Sequence, residues 1–169
     1  MDISNLRKTA REYLLARKKF LDIADKTTEL SGNDNIVGRI GEFLAYQFLK
    51  NEGRNPKKNN NSSEKGYDLI CEDEMRISVK TITSENKSKR TTRIKEPWDE
   101  IILIQINEQV EIEQLGQLNK IQFEQALSDN PSWSNEPYCK LSMLGRNGLI
   151  GKYGVVISGI ELNDKNVFL

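Results

Sequence analysis

Gly66-Tyr67-Asp68-Leu69-Ile70 and, past the acidic turn Glu72-Asp73-Glu74, Met75-Arg76-Ile77-Ser78-Val79-Lys80 decide how this chain folds. Both runs are short, rich in branched apolar residues and separated by turn residues, which predicts a β-hairpin with strands over 67–71 and 75–83. Side chains alternate faces along a strand, so Ser78 and Lys80 share one face while Val79 takes the other, toward the core. Asp68 lies on the neighbouring strand, where hairpin pairing can set it beside Ser78 and Lys80. An acid on one strand therefore meets a lysine on the next.

Upstream, Ile36, Val37, Ile40, Phe43, Leu44, Phe48 and Leu49 recur at helical spacing and predict a helix over 35–52 that carries Glu42. Asn33 or Asp34 is expected to cap it and Gly53 to stop it. Gly38 and Gly41, one turn apart, permit another backbone to approach. An earlier amphipathic pattern, Leu6, Tyr13, Leu14, Ala16, Phe20, Leu21, Ile23 and Ala24, predicts an N-terminal helix over 4–30. Residues 54–65 are polar and asparagine-rich, expected as a loop or edge strand.

Downstream of the hairpin, residues 84–97 read as a basic, Ser/Thr-rich loop. Ile101–Ile106 is the most apolar run and predicts a central strand, with a partner over 109–115 reached through Asn107-Glu108. A helix is expected over 119–127, with Ile121, Phe123, Ala126 and Leu127 inward. From Asp129 on, prolines and glycines break the pattern into an irregular extension. The expectation is one domain over 1–169: an N-terminal helix (4–30), a core (35–128) and an extension (129–169). Its class is α/β (α+β), a mixed sheet flanked by helices.

With 169 residues the chain can bury a sizeable core, and 37% apolar with 30% charged residues fits a polar globular protein. No apolar run reaches the roughly 18 residues of a membrane span, and no signal-peptide pattern opens the chain, so a cytoplasmic protein is expected. Cys71 and Cys139, the only cysteines, are expected as separate thiols. The chain has no histidine. That removes Ser–His and Cys–His nucleophile pairs and nearly every zinc enzyme, leaving carboxylates, lysines and hard cations. Net charge is zero but unevenly spread: residues 1–95 hold 20 Lys and Arg against 14 Asp and Glu, and residues 96–169 hold 5 against 11. Such asymmetry suggests one basic face toward an anionic partner, with ordinary solvated helix faces as the plainer alternative.

Mg²⁺ takes oxygen ligands in octahedral geometry, commonly one or two carboxylates with waters and substrate phosphate oxygens. Asp68, Glu42 and a backbone carbonyl near Val79 are the candidate metal ligands. Lys80 would orient or deprotonate the attacking water and offset charge on the phosphorane. Ser78 completes the candidate catalytic set. In a plainer reading, Asp68 and Lys80 form a cross-strand ion pair worth under about 1 kcal/mol, and Glu42 is an exposed helix residue.

Over residues 36–128 this layout resembles the PD-(D/E)XK nuclease superfamily. Asp68 matches the motif aspartate, Lys80 the motif lysine, and Glu42 the helix glutamate often present there. The chain is also similar to a group of short bacterial proteins with Gly-Tyr-Asp ahead of a Gln-x-Lys strand. The resemblance implies a restriction-endonuclease-like fold, Mg²⁺- or Mn²⁺-dependent cleavage of DNA or RNA, and a homodimer that reaches both strands. Tyr67 stands where the motif has proline. Ser78 stands where it has Asp or Glu, and a hydroxyl can hold a metal-bound water but cannot neutralise a cation. Glu42 is the natural substitute. Without it the fold would remain as a catalytically inactive nucleic-acid-binding or protein-interaction module, the latter through the acidic C-terminal half.

Lys87, Lys89, Arg90, Arg93 and Lys95 follow the Lys80 strand, interleaved with hydroxyls, and suit phosphate contacts. Trp98 and Trp133 are expected to pack in a core or interface rather than stack on bases. Gly145 through Gly154 lacks the phosphate-loop pattern, since Tyr153 follows Lys152. The segment reads as turns, with Arg146 and Lys152 as candidate substrate contacts.

Overall fold

The structure, a computed structural model, describes residues 3–24, 26–28, 35–59, 66–84, 86, 88–109 and 111–167. Helix α1 spans Ile3–Ala24 and gives way to a turn in which the Lys26 and Thr27 amides donate to Ile23 and Ala24 carbonyls. The helix expected to 30 thus ends earlier. Helix α2 spans Ile36–Asn51, and its cap is Asn35, whose side chain accepts from the Gly38 amide at 3.1 Å. The proposed caps Asn33 and Asp34 lie outside the described residues. Gly53 follows the helix at φ +75°, the left-handed conformation that ends helices.

Six strands form the main sheet: β1 (Lys57–Lys58), β2 (Leu69–Ile70), β3 (Arg76–Ile82), β5 (Glu100–Ile106), β6 (Ile112–Asn119) and β8 (Val155–Ser158), in that spatial order. All neighbours run antiparallel except β3 and β5, which are parallel, so the sheet is mixed. Strand β5 is its centre and is buried on both sides. Ile102, Ile104 and Ile106 enter the core beneath α2, while Ile101 and Leu103 enter a second core with Trp98 and Phe123. A strand covered on both faces reads as a continuous apolar run.

The second core is roofed by elements that the pattern of the sequence hides. Residues 84–97, read as a loop, contain strand β4 (Arg90–Arg93), which pairs antiparallel with β7 (Tyr138–Lys140) as a separate ribbon. The extension over 129–169 is not irregular. It supplies β7, a 3₁₀ turn (Leu141–Leu144), α4 (Leu149–Tyr153), β8 as the sixth strand of the sheet, and α5 (Gly159–Asp164). These elements are too short to show a period, and β8 forms because the edge of β6 offers it a ladder.

Helix α3 (Lys120–Asp129) starts from an Asn119–Gln122 capping box. Phe123 and Ala126 face inward, but Ile121, expected to do so, is 78% exposed because two residues of helix turn it away from Phe123. Trp98 is buried edge-on to Phe123, with ring centroids 5.2 Å apart, as expected of a core residue. Cys71 and Cys139 are both buried and free. No helix among the described residues is long and apolar enough to cross a membrane.

Candidate active site on the β2–β3 hairpin

The hairpin turn closes through the Cys71 amide on the Met75 carbonyl, and Leu69 pairs with Ile77 and Ile70 with Arg76. One step further along this register sets Asp68 across from Ser78, where the Asp68 amide donates to the Ile77 carbonyl at 2.8 Å. The Asp68 carboxylate then turns onto β3: its Oδ2 accepts from the Val79 amide at 2.6 Å. Backbone donation to a carboxylate is a charge-assisted contact and fixes its orientation. Oδ1 carries no hydrogen bond among the described residues.

Lys80 does not pair with Asp68. Its Nζ donates to Ser78 Oγ at 3.1 Å and to the Val79 carbonyl at 3.2 Å, so the simple cross-strand ion pair is not formed. Ser78 is fully buried. Its hydroxyl is thus a rest for the Lys80 ammonium and has no surface on which to hold a water. The Val79 carbonyl, read as a metal ligand, is likewise occupied by Lys80 in this arrangement.

Glu42 reaches the hairpin because α2 lies very close to β3. A Cβ on Gly41 would sit 1.7 Å from Thr81 Oγ1, so only glycine lets the helix settle there. Gly38 does something different: a Cβ there would meet the Asn35 cap of its own helix rather than another strand. Glu42 is not the exposed helix residue of the plainer reading. Its carboxylate contacts Lys58 Nζ at 2.9 Å, with side-chain exposures of 22% and 10%. Burial pushes the Glu42 carboxyl above its ordinary 4.5. The Lys58 hydrogen bond and charge pull it down, Asp68 pushes it up, and Lys80 pulls it down. Asp68, Lys80 and Lys58 are therefore all within electrostatic reach of Glu42.

Lys58 is the residue that sequence reasoning missed. It sits in the asparagine-rich stretch, where nothing in the pattern separates it from Lys57. Pairing of β1 with β2, Lys58 opposite Leu69, turns it inward. Among the described residues no three Asp, Glu, Cys or His side chains gather as a metal cluster. Two carboxylates, one with an oxygen lacking a hydrogen bond, remain as hard donors, a set that fits Mg²⁺ or Mn²⁺ when waters and phosphate oxygens complete the shell.

Of the basic segment, Lys87 lies outside the described residues, while Lys89, Arg90, Arg93 and Lys95 are exposed. Arg90 and Arg93 stack on the Tyr138 ring at 4.8 and 4.2 Å, and Arg93 Nη1 donates to the Glu136 carbonyl at 2.8 Å. Strand β4 of the ribbon packs against β3, the strand that carries Lys80. Burial pushes the Cys139 thiol of β7 up to about 12, against a downward pull from Lys80. Lys152 is tied to the Tyr153 hydroxyl at 2.9 Å, which in turn donates to Asp129.

No protein-family model matches this chain, and no curated protein matches it. Among solved structures, a bacterial homing endonuclease (I-Ssp6803I) is similar at 15% identity and a TM-score of 0.39, over 64% of this chain and 76% of that one. At that score the overlay supports no residue-by-residue comparison.

Proposed function

We propose that this protein is a divalent-cation-dependent nuclease that cleaves phosphodiester bonds in DNA or RNA at the β2–β3 hairpin. The observation that carries the reading is the meeting of Glu42 from α2, Asp68 from just ahead of β2 and Lys80 from β3, with burial and Asp68 both opposing ionisation of Glu42. Two neighbouring carboxylates, one of them largely buried, suit a hard cation. Glu42 and Asp68 would hold Mg²⁺ or Mn²⁺, which when bound supplies Lewis acidity to a phosphoryl oxygen.

The rest falls to the chain's own groups. Hydrolysis adds a water oxygen to phosphorus, and negative charge builds on the nonbridging oxygens before the ester bond breaks. Lys80, steadied by Ser78 Oγ and the Val79 carbonyl, presents a positive charge beside Asp68 to offset it. Ser78 serves as the seat of Lys80, and Glu42 supplies the second carboxylate that position 78 lacks. The test is nicking of plasmid DNA and cleavage of single-stranded DNA and RNA with Mg²⁺ or Mn²⁺. Asp68→Asn and Lys80→Ala should each abolish the activity. Wild-type protein that cleaves none of these with either cation overturns the proposal.

Two observations favour a second reading, a nucleic-acid-binding module without cleavage: the Val79 carbonyl is held by Lys80, and Ser78 is buried. Salt-sensitive binding with no cleavage would select it.

A further inference from the structure

A cavity lies beyond the β4–β7 ribbon. Its volume is about 880 Å³, and it runs between residues 132–138 and 145–149 over an apolar floor that includes Phe123, Met143 and Leu149. Arg93, Lys140 and Arg146 reach into its lining, and no carboxylate does. That bias is local. Residues 96–169 carry only 5 basic residues against 11 acidic ones, yet two of the five line this groove. Lys140 and Arg146 are exposed, and their side chains make no hydrogen bond or ion pair among the described residues.

The aromatic groups divide the work. Tyr138 already carries two guanidiniums, which holds Arg93 in place. Trp133 is not a core residue: it is 38% exposed at the groove wall. Its ring makes no ring–ring or cation contact among the described residues. One open indole among three cations, with the Ser132, Ser134 and Ser142 hydroxyls nearby, offers a stacking face for a base and charge for its phosphates. A paired base inside a duplex cannot present its face to such a ring; an unpaired one can.

We propose that this groove seats an unpaired stretch of nucleic acid, with a base on Trp133 and phosphates at Arg93, Lys140 and Arg146. The inference rests on the nucleic-acid reading above, and it makes single-stranded or locally opened strand the substrate class.

The test is titration of the full chain with an oligothymidylate of about 12 nucleotides, in the presence of a metal chelator, reading tryptophan emission and anisotropy. Trp98 is buried, so quenching on saturation reports Trp133. Trp133→Leu should abolish the quench and weaken binding roughly ten-fold. Three phosphate contacts give a slope of log K on log salt of about −2, which K140A/R146A should reduce to about −0.7. No binding at low salt overturns the proposal, as does binding that neither variant weakens. So does equal displacement of the oligonucleotide by polyglutamate, which would assign the groove to an acidic peptide. The chelator keeps cleavage out of the binding readout, so groove binding together with no cleavage once Mg²⁺ or Mn²⁺ is supplied defeats the nuclease reading alone. Cleavage of duplex DNA without groove binding defeats this inference alone.

Discussion

Glu42 with Lys58 and Asp99 with Arg76 are both single carboxylate–cation pairs close to strand β3, with contacts of 2.9 and 2.7 Å, yet their acids shift in opposite directions. Asp99 is held below its ordinary 3.8, first by the Arg76 side-chain hydrogen bond. The guanidinium grips both oxygens, Nε on Oδ2 at 2.7 Å and Nη2 on Oδ1 at 2.9 Å, and the Arg76 amide adds a third contact. Glu42 sits deeper, has one lysine contact, and shares its surroundings with a second carboxylate, so burial wins and its carboxyl rises. The difference separates an anchor from a site. A bidentate, half-exposed pair satisfies its acid, whereas Glu42 is buried more deeply on a single lysine contact with a second carboxylate in reach.

The largest effect that sharpens this contrast is on chemistry. Asp68→Asn should lower cleavage by at least about 100-fold, comparable to losing one transition-state electrostatic group, with stability little changed. Asp99→Asn should leave the turnover rate intact. Rate measurements on both variants check the separation, and equal losses would erase it.

Next is Gly41→Ala, which forces a Cβ into Thr81 Oγ1 and should cost about 1–3 kcal/mol by overpacking. Adding Thr81→Ala should restore most of that in urea unfolding. Such rescue would show that α2 is set on β3 through this one contact.

Asp99→Asn should then cost about 1 kcal/mol, a charged hydrogen bond discounted for side chains that are 39% and 28% exposed. Because the folded value of Asp99 is depressed, its contribution is present above the ordinary 3.8 and is lost as pH falls through the folded value. Unfolding curves from pH 5 down to 2 measure it.

The smallest effect is Glu42→Gln. Glu42 has a raised folded value, so its contribution is full below the ordinary 4.5 and is lost as pH rises through the folded value. At neutral pH the substitution should change stability by less than about 1 kcal/mol, toward stabilisation, while lowering cleavage. Marked destabilisation would place Glu42 with Asp99 among the anchors.

Much of the fold was legible in the residues because long periodic runs announce themselves. The apolar run at Ile101–Ile106, the helix bearing Glu42 and the Asp68–Lys80 hairpin all lie where their patterns predict. The ribbon β4–β7 and strand β8 were not legible. Strands of three or four residues have no period to detect, and these exist because a distant partner completes their hydrogen bonds. The same reason hid Lys58, whose inward turn depends on a two-residue pairing.

By itself the sequence determined the chemistry open to this protein: with no histidine and an acid–lysine hairpin, its candidate reactions rest on carboxylates, ammonium groups and hard cations. Only the tertiary structure decided how those groups are spent. It seated Lys80 on Ser78 and the Val79 carbonyl, gave Glu42 a lysine partner, and left Trp133 open in a cationic groove. Side-chain type is written in the chain, but burial and partners arise when strands distant in sequence meet, and those set what a charge does.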